Sequence, residues 1–553
     1  MSLRPMPAPS VPEATVRVAR AAFRKGCLAM RIRDELGPLF EDEQFARAFP
    51  CRGGPAWSPG QLAMVSVLQF AEGLTDRQAA DAVRGRIDVK YALGLELDDP
   101  GFDFSVLSEF RGRLIAHGLE ELVLDRLLER VGALGLLRAR GRQRTDSTHV
   151  LAQVRTLNRM EFVGETLRSA LETLAAAAPG WLRQIAVPEW FDRYGKRIDS
   201  FRFPKGADAR KQWALAVGQD GFALLEAVYA PDAPDWLRHV GAVQVLRMAW
   251  VQQYHRDEDG KGVRWREGTD LPPGRLRLSS PYDTDTRYSV KRGAGWDGYK
   301  VHFTETCEPG APHLITNVAT TDATVPDVEI TEPVHHALAA RGLLPAVHLV
   351  DSGYTSAALL VAAAGQDIEL MGPVFADTTT QGRAADGLGQ DAFAVDWPAR
   401  EVTCPRGQRS VSWSEQRKPT GTEIIRVHFA KTDCDACPVR DKCTSAKSKW
   451  GRSLTLLTQP QQQALDQRRR EQETDEWKAA YGTRAGVEGT ISQAVRVTRT
   501  RTTPYRGLPK THLGHVLTAT GLNLHRLNTW WTGTPIGTTH ISRFARLGLE
   551  PAA

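Results

Sequence analysis

The sequence is poor in cysteine and has no long hydrophobic run, and these absences exclude several classes of protein. Seven cysteines in 553 residues are too few for a scaffold built from disulfides, and they fit a reducing compartment. No segment approaches the roughly 18 consecutive apolar residues of a membrane-spanning helix. Residues 1–20 lack the apolar core of a secretory signal. We therefore expect a cytoplasmic protein that makes no membrane contact.

The composition is that of an ordinary globular protein. Hydrophobic residues make up 42% of the chain and charged residues 25%, which argues against global disorder and fibrous repeats. At roughly 150 residues per domain, the length predicts three or four domain-sized pieces.

Net charge is low overall but is concentrated near the C-terminus. The chain carries +6, while residues 489–553 contain eight basic residues and one acid, so this segment carries +7 and the other 488 residues carry −1. A basic segment on a neutral body suits contact with nucleic-acid phosphates, although a solvated surface tail has the same composition. The candidate DNA-binding residues of this segment are Arg496, Arg499, Arg501, Arg506 and Lys510.

The N-terminal part reads as a run of helices that includes a helix-turn-helix candidate. Ser58 followed by Pro59 is typical of a helix start, and a glycine-containing turn leads to a second helix capped by Thr75. Arg77 and Arg84 on this second helix are candidate DNA-binding residues. Such helix pairs also occur in helical domains that bind no DNA.

An α/β core interrupted by insertions follows the helical part. Residues 144–150, 296–304 and 313–320 resemble strands, the last two forming a hairpin, and residues 346–351 form the apolar run of a buried strand. The predicted pieces are a helical domain (1–140), a core (141–156 and 280–374), a mainly helical insertion (157–279), a small cysteine-containing insertion (375–450) and C-terminal core helices with a basic tail (451–553).

Three acidic residues occupy positions that suit a catalytic metal site. Asp146 lies on the first predicted strand, and Asp351 lies at the end of the buried strand, where open α/β sheets place their ligands. Glu488 follows Arg484 by four residues and Tyr481 by seven, so we expect these three side chains on one helical face. Arg484 then suits a DNA phosphate, and Tyr481 suits stacking or hydrogen bonding to DNA.

Carboxylates of this kind fit Mg²⁺, or Mn²⁺ in its place. Such an ion takes hard oxygen ligands and completes its shell with water and substrate phosphate. Two ions about 4 Å apart activate a nucleophile and stabilise a leaving oxygen in phosphoryl transfer. A single acidic residue is usually only a solvated carboxylate, and spacing alone does not link these three.

The motifs around these acids resemble those of the DDE transposases of bacterial insertion sequences, in the branch with long insertions. The resemblance extends over about residues 40–530, and the order of the motifs carries it more than any one motif. The motifs are Asp-Ser-Thr (146–148), Asp-Ser-Gly-Tyr (351–354), Tyr-x2-Arg-x3-Glu (481–488), Gly-Trp-Asp-Gly-Tyr-Lys-Val-His (295–302), Ala-Thr-Val-Pro-Asp (323–327) and Tyr-Arg-Gly-Leu-Pro-Lys-Thr-His (505–512).

This resemblance implies a ribonuclease-H-like core with a helical domain before it. It implies that Asp146, Asp351 and Glu488 are catalytic and bind the metal, and that the protein acts on the inverted-repeat ends of an element and on target DNA as a homodimer. Relatives often carry a lysine seven residues after the glutamate, but this chain has Val495 there, followed by Arg496.

Four cysteines form a second candidate site. One C-x2-C pair and two further cysteines suit tetrahedral Zn²⁺ in a small insertion with little core. Reduced thiols, a redox disulfide and an iron–sulfur cluster remain alternatives. The residues are Cys404, Cys434, Cys437 and Cys443.

The leading hypothesis is therefore a transposase that cleaves DNA strands and transfers them to a target. A metal-dependent nuclease or resolvase would use the same acids without strand transfer. A non-catalytic DNA-binding regulator would use only the helix-turn-helix candidate and the cysteine cluster, and would be indifferent to all three acids.

Overall fold

The chain has a mixed α/β architecture, which confirms the predicted class at that level. The structure is a computed structural model that describes residues 2–257, 262–291, 293–384, 386–445, 449–534 and 544. Arg543 and Arg546, two of the basic residues counted in the C-terminal segment, lie outside the described residues.

Seven α-helices precede the first strand in this description. The predicted helix start at Ser58 is confirmed, because its hydroxyl accepts a hydrogen bond from the backbone N–H of Gln61 at 3.2 Å, with Pro59 in the first turn. The cap at Thr75 is confirmed in the same way, by the N–H of Gln78 at 3.3 Å. The helices are α1 (Glu13–Ala22), α2 (Leu28–Leu36), α3 (Pro59–Glu72), α4 (Asp76–Gly85), α5 (Ile87–Leu93), α6 (Ser105–Ala116) and α7 (Leu122–Ala133).

A long first strand leads into the helical insertion. The first helix of the insertion begins at a capping box, in which Asn158 and Glu161 each bond the other's backbone N–H. Buried side chains between Phe162 and Leu278 form a hydrophobic cluster of their own. The elements are β1 (Arg142–Leu151), α8 (Arg159–Ala177), α9 (Pro179–Ile185), α10 (Pro188–Tyr194), α11 (Ala207–Tyr229), α12 (Gly241–Gln253), β2 (Tyr254–Arg256) and β3 (Val263–Trp265).

The core sheet resumes after the insertion. Both predicted strands of the hairpin form, and the predicted buried strand forms over a shorter range. The elements are β4 (Arg287–Lys291), β5 (Ala294–Thr306), β6 (Ile315–Asp322), α13 (Thr331–Ala340), β7 (Val347–Leu349), α14 (Ala357–Ala364) and β8 (Glu369–Met371).

These strands form one mixed six-stranded sheet with β1 inside it. The order is β4-β5-β1-β7-β8, and β6 also pairs with β5, along residues 299–305, beyond the part of β5 that pairs with β4. β1 runs antiparallel to β5 and parallel to β7, and β7 runs parallel to β8. The sheet therefore changes from antiparallel to parallel pairing at β1, the strand that carries Asp146.

The cysteine-containing insertion contains several short strands. Its three-stranded antiparallel sheet has the order β11-β12-β13, beside a separate two-stranded pair. The elements are α15 (Thr380–Arg383), β9 (Ala394–Asp396), β10 (Glu401–Thr403), β11 (Ser412–Arg417), β12 (Glu423–His428), α16 (Lys431–Asp435), α17 (Arg440–Cys443) and β13 (Ser453–Leu456).

One expectation for the C-terminal helices is wrong. The sequence pattern predicts a single helix from Gln459 toward Tyr481, but the helix ends at Glu471. Thr474 then begins a new one, because its hydroxyl accepts from the N–H of Trp477 at 3.3 Å. The elements are α18 (Gln459–Glu471), α19 (Asp475–Gly482), α20 (Gly486–Thr498) and α21 (Leu508–Trp531).

Helix α21 joins the N-terminal helices to the sheet. It packs against α3 and β6, and its buried residues belong to the same hydrophobic cluster as those of α3, α7 and β5. The N-terminal helices thus share a core with the sheet, and the boundary at residue 140 stays a prediction, as do the other domain limits. No helix in the described ranges is long and apolar enough to span a bilayer.

Candidate active site

The pairing of β1 with β7 brings the two aspartates together. Arg144 lies opposite Leu349 at the end of β7, and Asp351 follows two residues later, close enough for its charge to act on Asp146. The Asp351 carboxylate accepts the N–H of Gly353 at 2.8 Å and so caps a single 3-10 turn. Residues 205 positions apart come together because β7 runs parallel to the first part of β1 and ends two residues before Asp351.

Asp146 is partly withdrawn from solvent and has few partners. Its side chain is 17% exposed, and it accepts the N–H of Ser147 at 2.7 Å. Burial raises the pKa of Asp146, and the negative charge of Asp351 raises it further, while the Ser147 N–H and Arg484 lower it. The two negative charges of Asp146 and Asp351 therefore repel each other, and a divalent cation bound between them would relieve this repulsion.

Arg484 connects the first aspartate to the glutamate. Its guanidinium donates to Asp146 Oδ2 at 3.3 Å and to Glu488 Oε1 at 3.1 Å. Glu488 is 66% exposed, so its carboxylate faces solvent beside the aspartate pair. Burial alone would lower the pKa of Arg484, but Tyr481, Asp146 and Asp351 raise it above its usual value.

Tyr481, Arg484 and Glu488 stay close together, although a single helix does not carry them. Tyr481 lies near the end of α19, Arg484 lies in a 3-10 turn, and Glu488 lies in the first turn of α20. The Tyr481 ring stacks on Trp477 with centroids 4.7 Å apart, and Arg484 Cζ lies 5.9 Å from the tyrosine centroid. The expectation of one continuous helical face is wrong in detail, and the grouping arises from the turn between two helices.

Two further polar residues lie beside the aspartates and were missed from the sequence. Lys300 on β5 donates to Asp327 Oδ1 at 3.0 Å, and Ser147 donates to the other oxygen of Asp327 at 3.3 Å. Asp327 also contributes to raising the pKa of the buried Tyr354, after burial itself. The only sequence signal for Asp327 is its place in the Ala-Thr-Val-Pro-Asp motif, which does not indicate contact with β1.

The acids fit a divalent cation by their chemistry but do not form a finished metal site. Across the described part of the chain, no three His, Cys, Asp or Glu side chains are grouped so that they could hold a metal ion. Asp146 and Asp351 nevertheless lie within electrostatic reach of each other and offer carboxylate oxygens, the ligands that Mg²⁺ and Mn²⁺ take. Glu488 is engaged by Arg484 instead of facing the pair directly.

The predicted basic residues between Arg496, in the last turn of α20, and Lys510 are exposed, and one of them reaches the strand of Asp146. Arg501 Nε donates to Thr148 Oγ1 at 3.2 Å, and the carbonyl of Arg501 accepts the N–H of Leu151. Arg526, which was counted with this segment, is instead 15% exposed and paired with Glu305. The exposed members are Arg496, Arg499, Arg501, Arg506 and Lys510.

Arg77 and Arg84 are exposed on α4, the second helix of the helix-turn-helix candidate. The Arg77 guanidinium lies 4.4 Å from the centroid of the Phe104 ring. Arg84 donates to Asp81 at 2.9 Å and to the carbonyl of Pro100 at 3.2 Å. Both side chains have intramolecular partners that a DNA phosphate would have to displace or share.

The four clustered cysteines line one cavity and form no disulfide. Backbone N–H groups donate to two of the sulfurs, from Arg406 to Cys404 at 3.4 Å and from Arg452 to Cys434 at 3.3 Å. Burial raises the pKa of Cys443, Arg452 lowers it, and the other three cysteines raise it further. The thiols of Cys404, Cys434 and Cys437 therefore lie within electrostatic reach of Cys443.

A Cβ at Gly451 would lie 2.4 Å from the sulfur of Cys434. Glycine at this position lets the backbone approach the thiol closely, so that the neighbouring N–H can donate to it. The backbone at residues 451 and 452 therefore packs closely against the sulfur of Cys434.

Comparisons with known proteins match two separate parts of the chain. Residues 403–528 match a family model described as a transposase DDE domain, and residues 22–113 match one described as a transposase domain (DUF772). The first match includes the cysteine cluster and Glu488, but neither Asp146 nor Asp351. No curated protein and no solved structure matches the chain. The two family matches confirm the resemblance seen in the sequence, and together they indicate a DDE transposase of an insertion element.

Proposed function

We propose that this protein binds the terminal inverted repeats of its insertion element and catalyses metal-dependent strand cleavage and strand transfer. The observation that carries the proposal is the convergence at β1: Asp146 lies beside Asp351, and Arg484 bonds both Asp146 and Glu488. Three sequence segments separated by insertions supply these groups. A ribonuclease-H-like core is part of the proposal, and the parallel pairing of β1, which carries Asp146, with β7, which leads to Asp351, supports it.

Asp146, Asp351 and Glu488 are the residues that would hold Mg²⁺ or Mn²⁺. A bound divalent ion supplies activation of the attacking oxygen and stabilisation of the leaving oxygen. Arg484 neutralises the acids while it is paired with them, and it is close enough to hold a phosphate of the cleaved strand. Tyr481, stacked on Trp477, offers an aromatic surface beside the same place.

DNA contact is proposed for the exposed basic residues on either side of the site. Arg501 bonds Thr148, two residues along β1 from Asp146, so a phosphate at this arginine would lie close to the aspartates. Salt dependence of duplex binding tests this surface, because each lost phosphate contact lowers the slope against salt concentration by about 1. The proposed contacts are Arg77, Arg84, Arg496, Arg499, Arg501, Arg506 and Lys510.

A homodimer holding two element ends is the proposed active assembly. Cleavage and joining of both ends requires two sites, and symmetric dimers are the commonest way in which one chain supplies them. The mass of the complex with duplex ends, measured in solution, tests this part of the proposal, and one chain per pair of ends would contradict it.

Zinc is proposed for the cysteine cluster, where it would stabilise an insertion with a small core. Thiolates suit Zn²⁺, and backbone N–H groups that donate to sulfur favour the thiolate form. The proposal rests on donor chemistry and the shared cavity, since the thiols do not yet form a ligand group in the described residues.

Asp351→Asn is the direct test of the catalytic assignment. The substitution keeps the shape of the side chain and removes its charge, so we expect end cleavage with Mg²⁺ or Mn²⁺ to fall at least about a hundredfold. Binding to the same duplex ends should remain as in the wild type. The substrate is duplex DNA taken from the flanks of the coding region, and both cleaved and joined products are measured.

Asp232→Asn is the matched control, because it makes the same change at an exposed position. Full cleavage by Asp351→Asn would refute the assignment. Cleavage by the wild type without any joined product would favour a nuclease or resolvase. Binding by the wild type without cleavage in either metal would favour a DNA-binding regulator.

A further inference from the structure

A single buried carboxylate lies between the strand of Asp146 and the helix of Glu488. Glu305 on β5 is fully buried, and its two oxygens bind groups on opposite sides. Arg144 Nε donates to Oε1 at 2.7 Å, and Arg526 Nη1 donates to Oε2 at 2.6 Å. No comparison or sequence motif assigns a role to this glutamate.

On one side, Glu305 fixes the turn that carries Arg484. Arg144 lies two residues before Asp146 on β1, and its Nη1 donates to the carbonyl of Thr483 at 2.6 Å. Thr483 immediately precedes Arg484. The guanidinium also lies against Gly486, where a Cβ would come within 2.1 Å of Arg144 Nη1. Arg144 thus joins the strand of the first aspartate directly to the start of α20.

On the other side, Glu305 fixes the helix just after Glu488. The hydroxyl of Thr490, two residues beyond Glu488, donates to Glu305 Oε2 and accepts from Arg526 Nη2 at 2.6 Å. Arg526 on α21 also donates to the carbonyl of His313 at 2.7 Å. The first two turns of α20 are therefore tied to β1, β5 and α21 through one carboxylate.

The charges in this network favour an ionised Glu305. Burial alone would raise its pKa, but Arg526 and Arg144 beside it lower the pKa below the usual value. Buried ion pairs add little net stability compared with apolar packing, but their directional bonds fix geometry. A network that spans β1 and α20 therefore constrains the relative position of the acids that those elements carry.

We infer that Glu305, together with Arg144, Arg526 and Thr490, sets the distance and orientation of Glu488 relative to Asp146 and Asp351. These are positioning residues, since none of them touches the reacting atoms. The inference rests on the proposed function for its catalytic consequence. Its structural part, the fixing of α20 on the sheet, stands independently.

Thr490→Val tests the network with little change in volume. The valine removes two hydrogen bonds, the one that the hydroxyl donates to Glu305 and the one that it accepts from Arg526, and both arginines keep their bonds to Glu305. We expect amide hydrogen exchange in residues 486–498 to become about tenfold faster, since a buried acceptor loses its donor. We also expect end cleavage to fall about tenfold to a hundredfold, with a higher Mg²⁺ concentration needed for half-maximal rate. Thr490→Ser restores the hydroxyl and should restore all three values.

Thr166→Val is the control. Thr166 is also fully buried, but its hydroxyl donates only to the carbonyl of Phe162 in its own helix, α8. It should leave exchange in α20 and the Mg²⁺ requirement unchanged.

The inference is overturned by any of three results. The first is an amide exchange rate in residues 486–498 of Thr490→Val equal to that of the wild type. The second is faster exchange in Thr490→Val without a change in its Mg²⁺ requirement. The third is the same faster exchange in residues 486–498 of Thr166→Val. A wild-type protein that cuts no DNA refutes the proposed function, while hydrogen exchange still decides whether the network fixes α20.

Discussion

Asp146 combines features that oppose stability with features that suit its proposed catalytic role. Its carboxylate is withdrawn from water within reach of the charge of Asp351, and Arg484 supplies an opposing charge. Functional sites commonly keep such unfavourable arrangements because the reaction needs them. The cost at this residue can be measured without any assay of DNA cleavage.

Asp146→Asn should raise the melting temperature of the metal-free protein at neutral pH. The folded-state pKa of Asp146 is raised, so ionisation costs the folded protein more than the unfolded chain. That cost is fully present above the folded pKa, decreases as the pH falls through it, and vanishes below the unfolded pKa of about 3.9. Melting curves of both proteins between about pH 4.5 and 8 should show a gain in melting temperature that shrinks toward low pH.

Asp232→Asn provides the comparison at an exposed site and should show no such pH-dependent gain. A lower melting temperature for Asp146→Asn across the whole range would mean that the bond to Arg484 outweighs burial and the repulsion from Asp351.

At the scale of elements, local signals were predictable and long-range ones were not. The caps at Ser58 and Thr75 depend on neighbours within three residues, so the sequence predicted both helix starts. The break between α18 and α19 depends on Thr474, whose hydroxyl caps a new helix instead of continuing the first one. A pattern of apolar residues gives no measure of that competition, and the prediction of one helix failed there.

Gly486 at the start of α20 shows how an element depends on a distant residue. A Cβ at Gly486 would collide with the Arg144 guanidinium, which Glu305 and the Thr483 carbonyl hold in place. Gly486→Ala should therefore lower the free energy of unfolding by about 1–3 kcal/mol. Urea unfolding followed by circular dichroism measures the change.

Gly489→Ala in the same helix is the matched control, because nothing lies within 4 Å of a Cβ there. It should be neutral or should stabilise the protein by up to about 1 kcal/mol, since alanine favours helix. Equal effects of the two substitutions would show that Arg144 moves aside freely.

For the molecule as a whole, several hydrophobic clusters serve different parts of the chain. One joins the N-terminal helices, the sheet and α21; another belongs to the helical insertion; a third, much smaller, belongs to the cysteine-containing insertion. A small core supplies little net stability and is commonly supplemented by a metal or disulfides. The cysteine cluster lies in the insertion that most needs such support.

Removal of zinc should therefore destabilise this insertion selectively. We expect about one zinc ion per purified chain, and a chelator should accelerate amide exchange in residues 394–456 while leaving β1 unaffected. Cys434→Ser should abolish zinc binding. Metal analysis of the purified protein and hydrogen exchange measure the two effects.

Cys51→Ser controls for the loss of a thiol, since Cys51 is exposed and lies outside the cluster. Iron in place of zinc would indicate an iron–sulfur cluster. If the wild-type protein contains neither metal and its four clustered thiols react freely, the cluster consists of reduced cysteines that bind no metal.

The sequence by itself determined the mixed α/β class, the caps of the early helices, the hairpin of β5 and β6, and the acidic and cysteine residues that a site would use. Periodicity and local hydrogen bonding depend on residues only a few positions apart, and the order of motifs can be read directly from the sequence. Only the tertiary structure decided that Asp146 lies beside Asp351, that Arg484 bridges two acids, and that Glu305 ties β1 to α20. The physical reason is that strand pairing and buried charge join residues across hundreds of positions, and the free energy of those contacts exists only once the chain has folded.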